Sequence, residues 1–298
     1  MFGLGIAAVL SATSVLASEP LVLAEEDIRF GRSGHIIIDV EVNGQGPYAF
    51  VVDTGAQTSV VFDSLIEELD LEPSDSVTVQ GASGPQESYF YNLEELRVDE
   101  ASVSDVRVVE GPAGLSRGLA RFRTYGLLGA DLLNAYGVEF DFADNRFVLY
   151  DADADFSAVT TGWSRADYEL NEVGFATFPV SISGVEAHAI LDLGAAHHVI
   201  NAPSFEALGY SEDDEFDETR RLRGFSGEQV RAPIISDIDL GMGNLRLDDV
   251  HVTYMDSAVF RMLGHGDTPA MFMGLPMFED RRIIFDRANS QLIISSEG

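Results

Sequence analysis

From residue 36 onward, apolar and polar residues alternate, or they form short apolar runs that Gly, Asn or Asp residues interrupt. Residues 36–42 are such a run, and Asn43 and Gly44 follow it. A period of two indicates strands, and an Asn-Gly pair between two runs indicates a tight hairpin turn. Helical patterns are short, and they predict helices only near residues 64–69, 131–135, 204–208 and 276–279. The chain is therefore predicted to be mostly β.

The second half of the chain repeats landmarks of the first half in the same order. Phe50-Val51-Val52-Asp53-Thr54-Gly55-Ala56 recurs as Ala189-Ile190-Leu191-Asp192-Leu193-Gly194-Ala195. Four further pairs follow in the same order, with an offset that lies between 139 and 145 positions: Asn43-Gly44 with Ser183-Gly184, Gly81-Ala82-Ser83-Gly84 with Gly224-Phe225-Ser226-Gly227, Leu127-Leu128-Gly129 with Phe272-Met273-Gly274, and Phe140-Asp141 with Phe285-Asp286. One match could be chance, but five in the same order and at nearly the same offset indicate a duplicated β unit.

The repeats divide the chain into two similar lobes. We place the first lobe at residues 25–155 and the second at residues 165–298, with a polar linker at residues 156–164. Trp163 is the only Trp of the chain, and its place in the linker favours packing between the lobes over substrate binding. Because the repeat is far too long for a solenoid, we expect two β lobes that face each other across a cleft.

Residues 1–24 are interpreted as a signal peptide and a short leader. Residues 3–17 are apolar or small and end in Val15-Leu16-Ala17, which suits a signal peptidase. No Lys or Arg stands near Met1, which departs from the usual pattern, and a second possible cleavage site follows Val22-Leu23-Ala24. The apolar run is shorter than the roughly 20 residues that span a bilayer. We therefore expect a periplasmic or secreted protein without a stable membrane anchor.

Composition excludes several kinds of chemistry. The chain has 298 residues, with 18 basic residues, all of them Arg, and 50 acidic ones, so its formal net charge is -32. This charge repels a phosphate backbone, and nucleic acid is not an expected partner. Without Lys or Cys the chain has no Schiff-base lysine, thiolate nucleophile or cysteine-ligated metal. The remaining candidates for chemistry are carboxylates, hydroxyls and six His residues.

Asp53 and Asp192 are the strongest candidates for chemistry. Each follows a short apolar run and precedes x-Gly-Ala, which places a carboxylate at the end of a buried strand where Gly allows a tight turn. Two carboxylates brought together would share a proton, since the pKa of one rises while the pKa of the other falls. Such a pair can activate a water molecule and polarise a carbonyl group.

These motifs resemble those of the aspartic proteases, and the Ala after Asp-Thr-Gly is similar to the retropepsin-like branch. The resemblance covers nearly all of the chain after the leader. It implies an all-β fold of two acid-protease β-barrel lobes with a cleft between them. It also implies that Asp53 and Asp192 are the catalytic pair of an aspartic endopeptidase, which cleaves an extended polypeptide. The implied active-site loops contain Thr54, Gly55, Ala56, Leu193, Gly194 and Ala195.

The resemblance further implies β-hairpin flaps over the cleft. The flap candidates are Gly81, Ala82, Ser83 and Gly84 in the first lobe, and Gly224, Phe225, Ser226 and Gly227 in the second. Both halves of the site would come from one chain, so we expect a monomer. No metal or cofactor is implied.

Leu193 departs from the family, which has Thr or Ser after each Asp. In the family these two hydroxyls form hydrogen bonds between the lobes beneath the carboxylates, and Leu cannot do so. The lost hydrogen bond would cost about 0.5–1.5 kcal/mol. The alternative is therefore a catalytically degenerate homologue that binds a peptide or a partner protein without cleavage. One interpretation of the neighbouring His197 and His198 is that they help to replace the lost contact, but the simpler one, which we favour, is a strand-edge pair that faces solvent.

Other motifs have less support. Residues 114–118 match G-x-S-x-G, but they lack the strand–turn–helix context of a hydrolase nucleophile. The acidic run at residues 212–218 lacks the spacing of an EF-hand loop. The His residues show no HExxH spacing, so zinc hydrolysis has no support. A glycosidase with two carboxylates would rest on the two Asp residues alone.

Overall fold

The computed structural model describes residues 19–31, 34–81, 84–112, 123–211, 213–223, 229–278 and 280–296, and strands dominate it. The strands of the first half are β1 (Val22–Asp27), β2 (Arg29–Phe30), β3 (Ile36–Val42), β4 (Gln45–Val52), β5 (Val60–Val61), β6 (Pro73–Gly81), β7 (Gly84–Val98), β8 (Ala101–Glu110), β9 (Gly126–Leu128), β10 (Gly137–Asp141) and β11 (Arg146–Tyr150). Its described helices are α1 (Asp63–Leu69) and α2 (Ala130–Leu133).

The second half follows the same plan. Its strands are β12 (Ser164–Asp167), β13 (Glu169–Leu170), β14 (Ala176–Ile182), β15 (Val185–Leu191), β16 (His198–Ile200), β17 (Thr219–Arg223), β18 (Gln229–Met242), β19 (Leu245–Tyr254), β20 (Ala270–Met273), β21 (Arg282–Asp286) and β22 (Gln291–Ile294). Its described helices are α3 (Ala202–Ala207), α4 (Ala258–Met262) and a 3-10 helix at Leu275–Phe278. The four predicted helices are confirmed within one to two residues, whereas α4 was not predicted.

Each half closes into a six-stranded barrel. In the first half the order β3-β4-β9-β5-β8-β7 returns to β3, because β3 also pairs with β7. In the second half the order β14-β15-β20-β16-β19-β18 returns to β14 in the same way. Six strands thus keep one order in both halves. The predicted architecture of two similar β-barrel lobes is confirmed.

The hairpin turns show why the repeated sequence folds alike in both lobes. Asn43 and Gly44 connect β3 with β4, and both have positive φ angles of 51° and 70°. Ser183 and Gly184 connect β14 with β15, with φ angles of 45° and 87°. Two residues with positive φ form the turn whose twist matches that of the flanking strands. The turn residues therefore set equivalent hairpins before the two Asp motifs.

A third sheet joins the lobes. Its order is β1-β11-β10-β21-β22-β12, so each lobe contributes three strands, and β10 of the first lobe pairs with β21 of the second. Apolar side chains of this sheet, including Phe140, Phe147 and Ile283, are fully buried in the main core. Packing across this sheet fixes one lobe against the other.

Two segments carry more structure than the sequence analysis assigned to them. β1 begins at Val22, inside the segment interpreted as a leader, and Ala24 is only 2% exposed. Within the predicted polar linker, Phe156 is buried and packs together with Ile284 of the joining sheet, and Trp163 packs against that cluster. The linker segment therefore covers the joining sheet, in addition to connecting the lobes. Among the described residues, no helix is long and apolar enough to cross a membrane.

Candidate active site

Asp53 and Asp192 stand at equivalent places in the two barrels. Asp53 follows β4, and its backbone N–H donates to Leu128 O at 3.0 Å. Asp192 follows β15, and its N–H donates to Met273 O, also at 3.0 Å. Each Asp thus leaves the end of a buried strand beside a parallel neighbour, β9 or β20. The barrel positions both backbones, and the turns that follow aim the side chains.

The two carboxyl groups meet at the boundary between the lobes. A Cβ atom placed on Gly55 would lie 2.7 Å from Asp192 Cγ, and one placed on Gly194 would lie 2.7 Å from Asp53 Cγ. Each carboxyl group therefore rests on the glycine of the opposite loop, and any larger residue would collide with it. The sequence-predicted pair is brought together as expected, and both glycines are explained by close approach rather than by an unusual backbone angle.

Hydrogen bonds hold the two carboxyl groups in place. Asp53 Oδ1 accepts from Gly55 N at 2.9 Å. Asp192 accepts from the backbone N–H groups of Gly194 and Ala195, and the two carboxyl groups also form a hydrogen bond with each other. Such a bond requires one of the two carboxyl groups to carry a proton.

The surroundings raise the pKa of both carboxyl groups. Burial among protein atoms raises the pKa of Asp53, although the Gly55 N–H partly opposes the shift. Burial and then the charge of Asp53 raise the pKa of Asp192 to about 8. Both side chains keep some exposure, so water can reach them. The pair therefore holds one proton near neutral pH, with the proton favoured on Asp192.

Thr54 links the two loops beneath the carboxyl groups. Its Oγ1 donates to Leu191 O at 3.1 Å and accepts from Leu193 N at 2.9 Å. Leu193 contributes no hydroxyl, and its side chain lies in the main hydrophobic core with 1% exposure. As expected, the second loop offers no hydroxyl at position 193, so the contact between two hydroxyl groups is absent. Thr54 nevertheless retains two hydrogen bonds between the lobes, which the sequence analysis did not anticipate.

A second layer of contacts supports each Asp loop, and it differs between the lobes. In the first lobe Gly129 N donates to Ser59 Oγ at 2.9 Å, and Ser59 Oγ donates to Asp131 Oδ1 at 2.6 Å. Burial raises the pKa of Asp131. In the second lobe Gly274 N donates to His198 Nδ1 at 3.2 Å. Ser59 and His198 each lie six residues after the Asp of their lobe, so the repeat in the sequence could have identified them as equivalent residues.

The interpretation of His197 and His198 as a solvent-facing pair is wrong for His198. Its side chain is buried with 3% exposure, because it points inward from β16 and accepts the Gly274 N–H. His197 is only half-buried. His197 precedes β16, which begins at His198, and the two neighbours lie in different environments.

His35 is a further neighbour of the site that the sequence did not indicate. It precedes β3 in the first lobe, and its imidazole forms a hydrogen bond with the backbone of Gly194 in the second. Burial lowers the pKa of His35, which favours the neutral ring. No motif surrounds His35 in the sequence, so only the folded chain reveals this contact.

The flap candidates fall partly on residues that the structure describes. Gly81 and Gly84 pair at the end of the hairpin formed by β6 and β7. Ala82 and Ser83 lie outside the described residues, as do Gly224, Phe225, Ser226 and Gly227 between β17 and β18. Residues 114–118 lie outside them as well. Within the described ranges, no group of three or more His, Asp or Glu residues could hold a metal ion.

Comparisons with known proteins give a matching family and a similar solved structure. A sequence model described as aspartyl protease matches residues 38–132 and again residues 178–277. Among 418 matching chains of solved structures is a retropepsin-like aspartic protease from Rickettsia conorii, which is 20% identical with a TM-score of 0.34. The match covers 43% of this chain and 91% of that chain. No curated protein sequence matches.

Proposed function

The chain belongs to the aspartyl protease family, and from that premise we propose that it is an endopeptidase that cleaves extended polypeptides with Asp53 and Asp192. The observation that carries the proposal is the meeting of the two carboxyl groups, each packed on the glycine of the opposite loop. The family match makes the chain a protease-type hydrolase. The endopeptidase specificity, the roles of the two Asp residues and the mechanism are our inference.

In the proposed reaction the ionised Asp53 takes a proton from a water molecule held between the carboxyl groups. The water oxygen forms a bond to the scissile carbonyl carbon, while the proton on Asp192 forms a hydrogen bond to the carbonyl oxygen. The tetrahedral intermediate then collapses as the proton on Asp53 moves to the leaving nitrogen and the C–N bond breaks. The products are a carboxylic acid and an amine, and Asp192 retains its proton. The raised pKa of Asp192 supports this assignment.

Substrate binding would follow the mode in which a peptide adds as a strand. Main-chain hydrogen bonds would supply affinity, and pockets for alternate side chains would supply selectivity. The β6–β7 hairpin, which ends at the Gly81–Gly84 pair, is our candidate for the first flap. We further propose a monomer that is exported to the periplasm or beyond, with a cleavage site after Ala17 rather than within β1.

The test is digestion of an unfolded, disulfide-free protein by the purified chain from about pH 3 to about pH 8. Asp53→Asn and Asp192→Asn keep the shape of the side chains, and each should lower the rate by about 100-fold or more because the acid–base step is lost. The exposed Asp213 provides a control, and Asp213→Asn should cleave like the wild type. Cleavage at the wild-type rate by either active-site variant would overturn the proposal.

Leu193 supports a second candidate, a homologue that binds peptide without cleaving it. Its buried side chain leaves the second loop without the hydroxyl that the first loop has. If the wild type cleaves nothing at any pH but Leu193→Thr gains cleavage, this second candidate replaces the first. If wild type and variant both cleave, Thr54 alone is sufficient to hold the loops.

A further inference from the structure

The two lobes support their Asp loops in equivalent places but with different chemistry. In both lobes a glycine at the end of a barrel strand lies against the Asp loop. A Cβ atom on Gly129 would lie 2.8 Å from Ala56 O, and one on Gly274 would lie 2.5 Å from Ala195 O. Both glycines are buried, so their N–H groups need an acceptor within the protein.

The first lobe satisfies its glycine with a hydroxyl and a carboxyl group. Ser59 Oγ accepts the Gly129 N–H, and Asp131 accepts from both Ser59 Oγ and Ser59 N, at 2.6 and 2.8 Å. In the second lobe the repeat places Pro276 where Asp131 stands, so the corresponding carboxyl group is missing. His198 Nδ1 takes over as the acceptor for Gly274 N at 3.2 Å.

An imidazole nitrogen accepts a hydrogen bond only while it carries no proton. The contact with Gly274 therefore assigns the proton of the neutral ring to Nε2. Protonation of Nδ1 would place two donors against each other, and the bond would break. Gly274 would then lose its anchor, and the Asp192 loop, which rests on the Gly274–Leu275 segment through Leu275 N donating to Ala195 O at 3.0 Å, would lose its support.

We propose that His198 is a positioning residue for Asp192, and that its protonation in acid breaks the contact with Gly274 and releases the second Asp loop. This inference rests on the proposed protease function. It deepens that function by assigning the position of the Asp192 loop to the neutral ring of a residue that does not touch the substrate. A Ser with a carboxyl partner supports the first loop, whereas a single titratable ring supports the second.

The groups around His198 favour its neutral form. Burial is the main cause that lowers the pKa of His198 to about 4, followed by the charges of His197, which precedes β16, and Arg220 on β17. A cavity of about 310 Å³ beside the ring is also lined by Asp248, Asp249 and His251 of β19, which are exposed. These two carboxylates would stabilise an imidazolium, but His197 and Arg220 stand against it. The ring is thus neutral near neutral pH and becomes charged only in acid.

The first test compares kcat and KM of three variants with those of the wild type near neutral pH. In His198→Asn the side-chain oxygen can accept the Gly274 N–H, so kcat should stay within about threefold of the wild-type value. His198→Phe has no acceptor, and kcat should fall about tenfold or more with KM little changed. His188→Asn, the control at an exposed His of β15, should keep the wild-type kcat and KM. A tenfold loss of kcat in His198→Asn, or full activity in His198→Phe, would refute the inference.

The second test does not depend on activity. A hydrogen bond from an N–H group to an imidazole nitrogen transmits a measurable scalar coupling between the two nitrogen nuclei in NMR spectra of the labelled protein. The coupling between Gly274 N and His198 Nδ1 should be present near neutral pH and should vanish as the sample is acidified. A protein that shows this coupling but cleaves nothing would refute the protease function and leave the His198 contact intact. Absence of the coupling at every pH would refute the contact itself.

Discussion

Thr54 carries the hydrogen-bonded contact between the Asp loops by itself. Its hydroxyl both accepts from Leu193 N and donates to Leu191 O, so one side chain satisfies two backbone groups of the other lobe. Leu193 compensates with apolar packing, since its side chain is buried in the main core. The loops are thus held by one hydroxyl and one hydrophobic contact, whereas the resemblance to the family implied a hydroxyl from each loop.

Thr54→Val tests that division of roles. Val keeps the volume but leaves the Leu193 N–H without its acceptor, so we expect the free energy of unfolding to fall by about 1–3 kcal/mol. Small displacement of the carboxyl groups should lower kcat by about tenfold or more, with KM little changed. Thr78→Val is the control, because the Thr78 hydroxyl bonds only with exposed Glu87. Equal losses in the two variants, measured by urea unfolding and cleavage assays, would contradict the role of Thr54.

The carboxyl pair should make the folded protein less stable as pH rises. Burial and Asp53 raise the pKa of folded Asp192 to about 8, above its value near 3.8 in the unfolded chain. Between these values the folded state keeps a proton that the unfolded state releases, so the contribution of Asp192 to stability is largest in acid and is lost as pH rises through about 8. The slope has an upper limit of about 1.4 kcal/mol per pH unit.

Asp192→Asn removes this titration. The free energy of unfolding of this variant minus that of the wild type should therefore increase steadily with pH. At about pH 8 this difference should be larger by about 2 kcal/mol or more than at about pH 5. Urea unfolding at each pH measures the difference, with Asp213→Asn as an exposed control. Parallel curves for wild type and Asp192→Asn would show that the carboxyl pair does not share a proton in the way we describe.

At the scale of elements, local sequence determined the hairpins and most helices. The turns at Asn43-Gly44 and Ser183-Gly184 could be predicted from the sequence, because only a few residue types adopt the positive φ angles of a two-residue turn. β1 could not be read in this way. Val22-Leu23-Ala24 has the same small and apolar residues as a cleavage site, and only pairing with β11, far away in the chain, makes it a strand. Long-range pairing of this kind leaves no local pattern.

Truncation before β1 and within it measures how much the strand contributes to the free energy of unfolding. A chain that begins at Glu25 lacks the first half of β1 with Leu23, whose carbonyl oxygen accepts from Glu100 N at 3.0 Å. It also lacks Leu21, which precedes β1 and whose carbonyl oxygen accepts from Asp151 N at 3.1 Å. With the burial of Ala24 also lost, we expect about 2–4 kcal/mol of destabilisation. A chain that begins at Leu21 keeps both contacts and should match one that begins at Ser18. If all three chains unfold at the same urea concentration, the first half of β1 does not stabilise the joining sheet.

At the scale of the whole molecule, duplication predicted the two barrels but not the polar network that joins them. Glu139 in β10 is 1% exposed and accepts from Arg282 in β21 at 2.6 and 2.9 Å. Tyr150 OH also donates to Glu139 at 2.7 Å, and Arg282 lies 5.1 Å from the centre of the Trp163 ring. The repeat aligns Glu139 with Ile284, so the network has no symmetric copy that sequence comparison could reveal. Features that belong to one lobe alone escape an argument based on repeats.

This network gives the joining sheet an ion pair whose carboxylate is buried, whereas the Arg282 side chain is 39% exposed. Removing the cation of a buried carboxylate is more costly than removing both charges. Arg282→Met keeps the aliphatic contact with Trp163 but leaves Glu139 buried without its cation, so we expect a loss of about 3 kcal/mol in the free energy of unfolding. Arg107→Met is the matched control: Arg107 also stacks on a ring, that of Phe90 at 3.8 Å, and pairs with Asp75, but both charged partners are exposed. Its loss should stay below about 1 kcal/mol.

The double variant Glu139→Gln with Arg282→Met completes the argument, because it removes both charges. It should recover part of the stability that Arg282→Met loses, since Glu139 then carries no unpaired charge, while Asp141, which Arg282 also contacts at 3.2 Å, keeps Arg146 at 3.6 Å. Fluorescence of Trp163, which packs against this sheet, reports its unfolding in urea. Equal losses for Arg282→Met and Arg107→Met would mean that the guanidinium groups act only through ring stacking. The lobes would then be held together by the backbone pairing and the apolar packing between β10 and β21, without help from this ion pair.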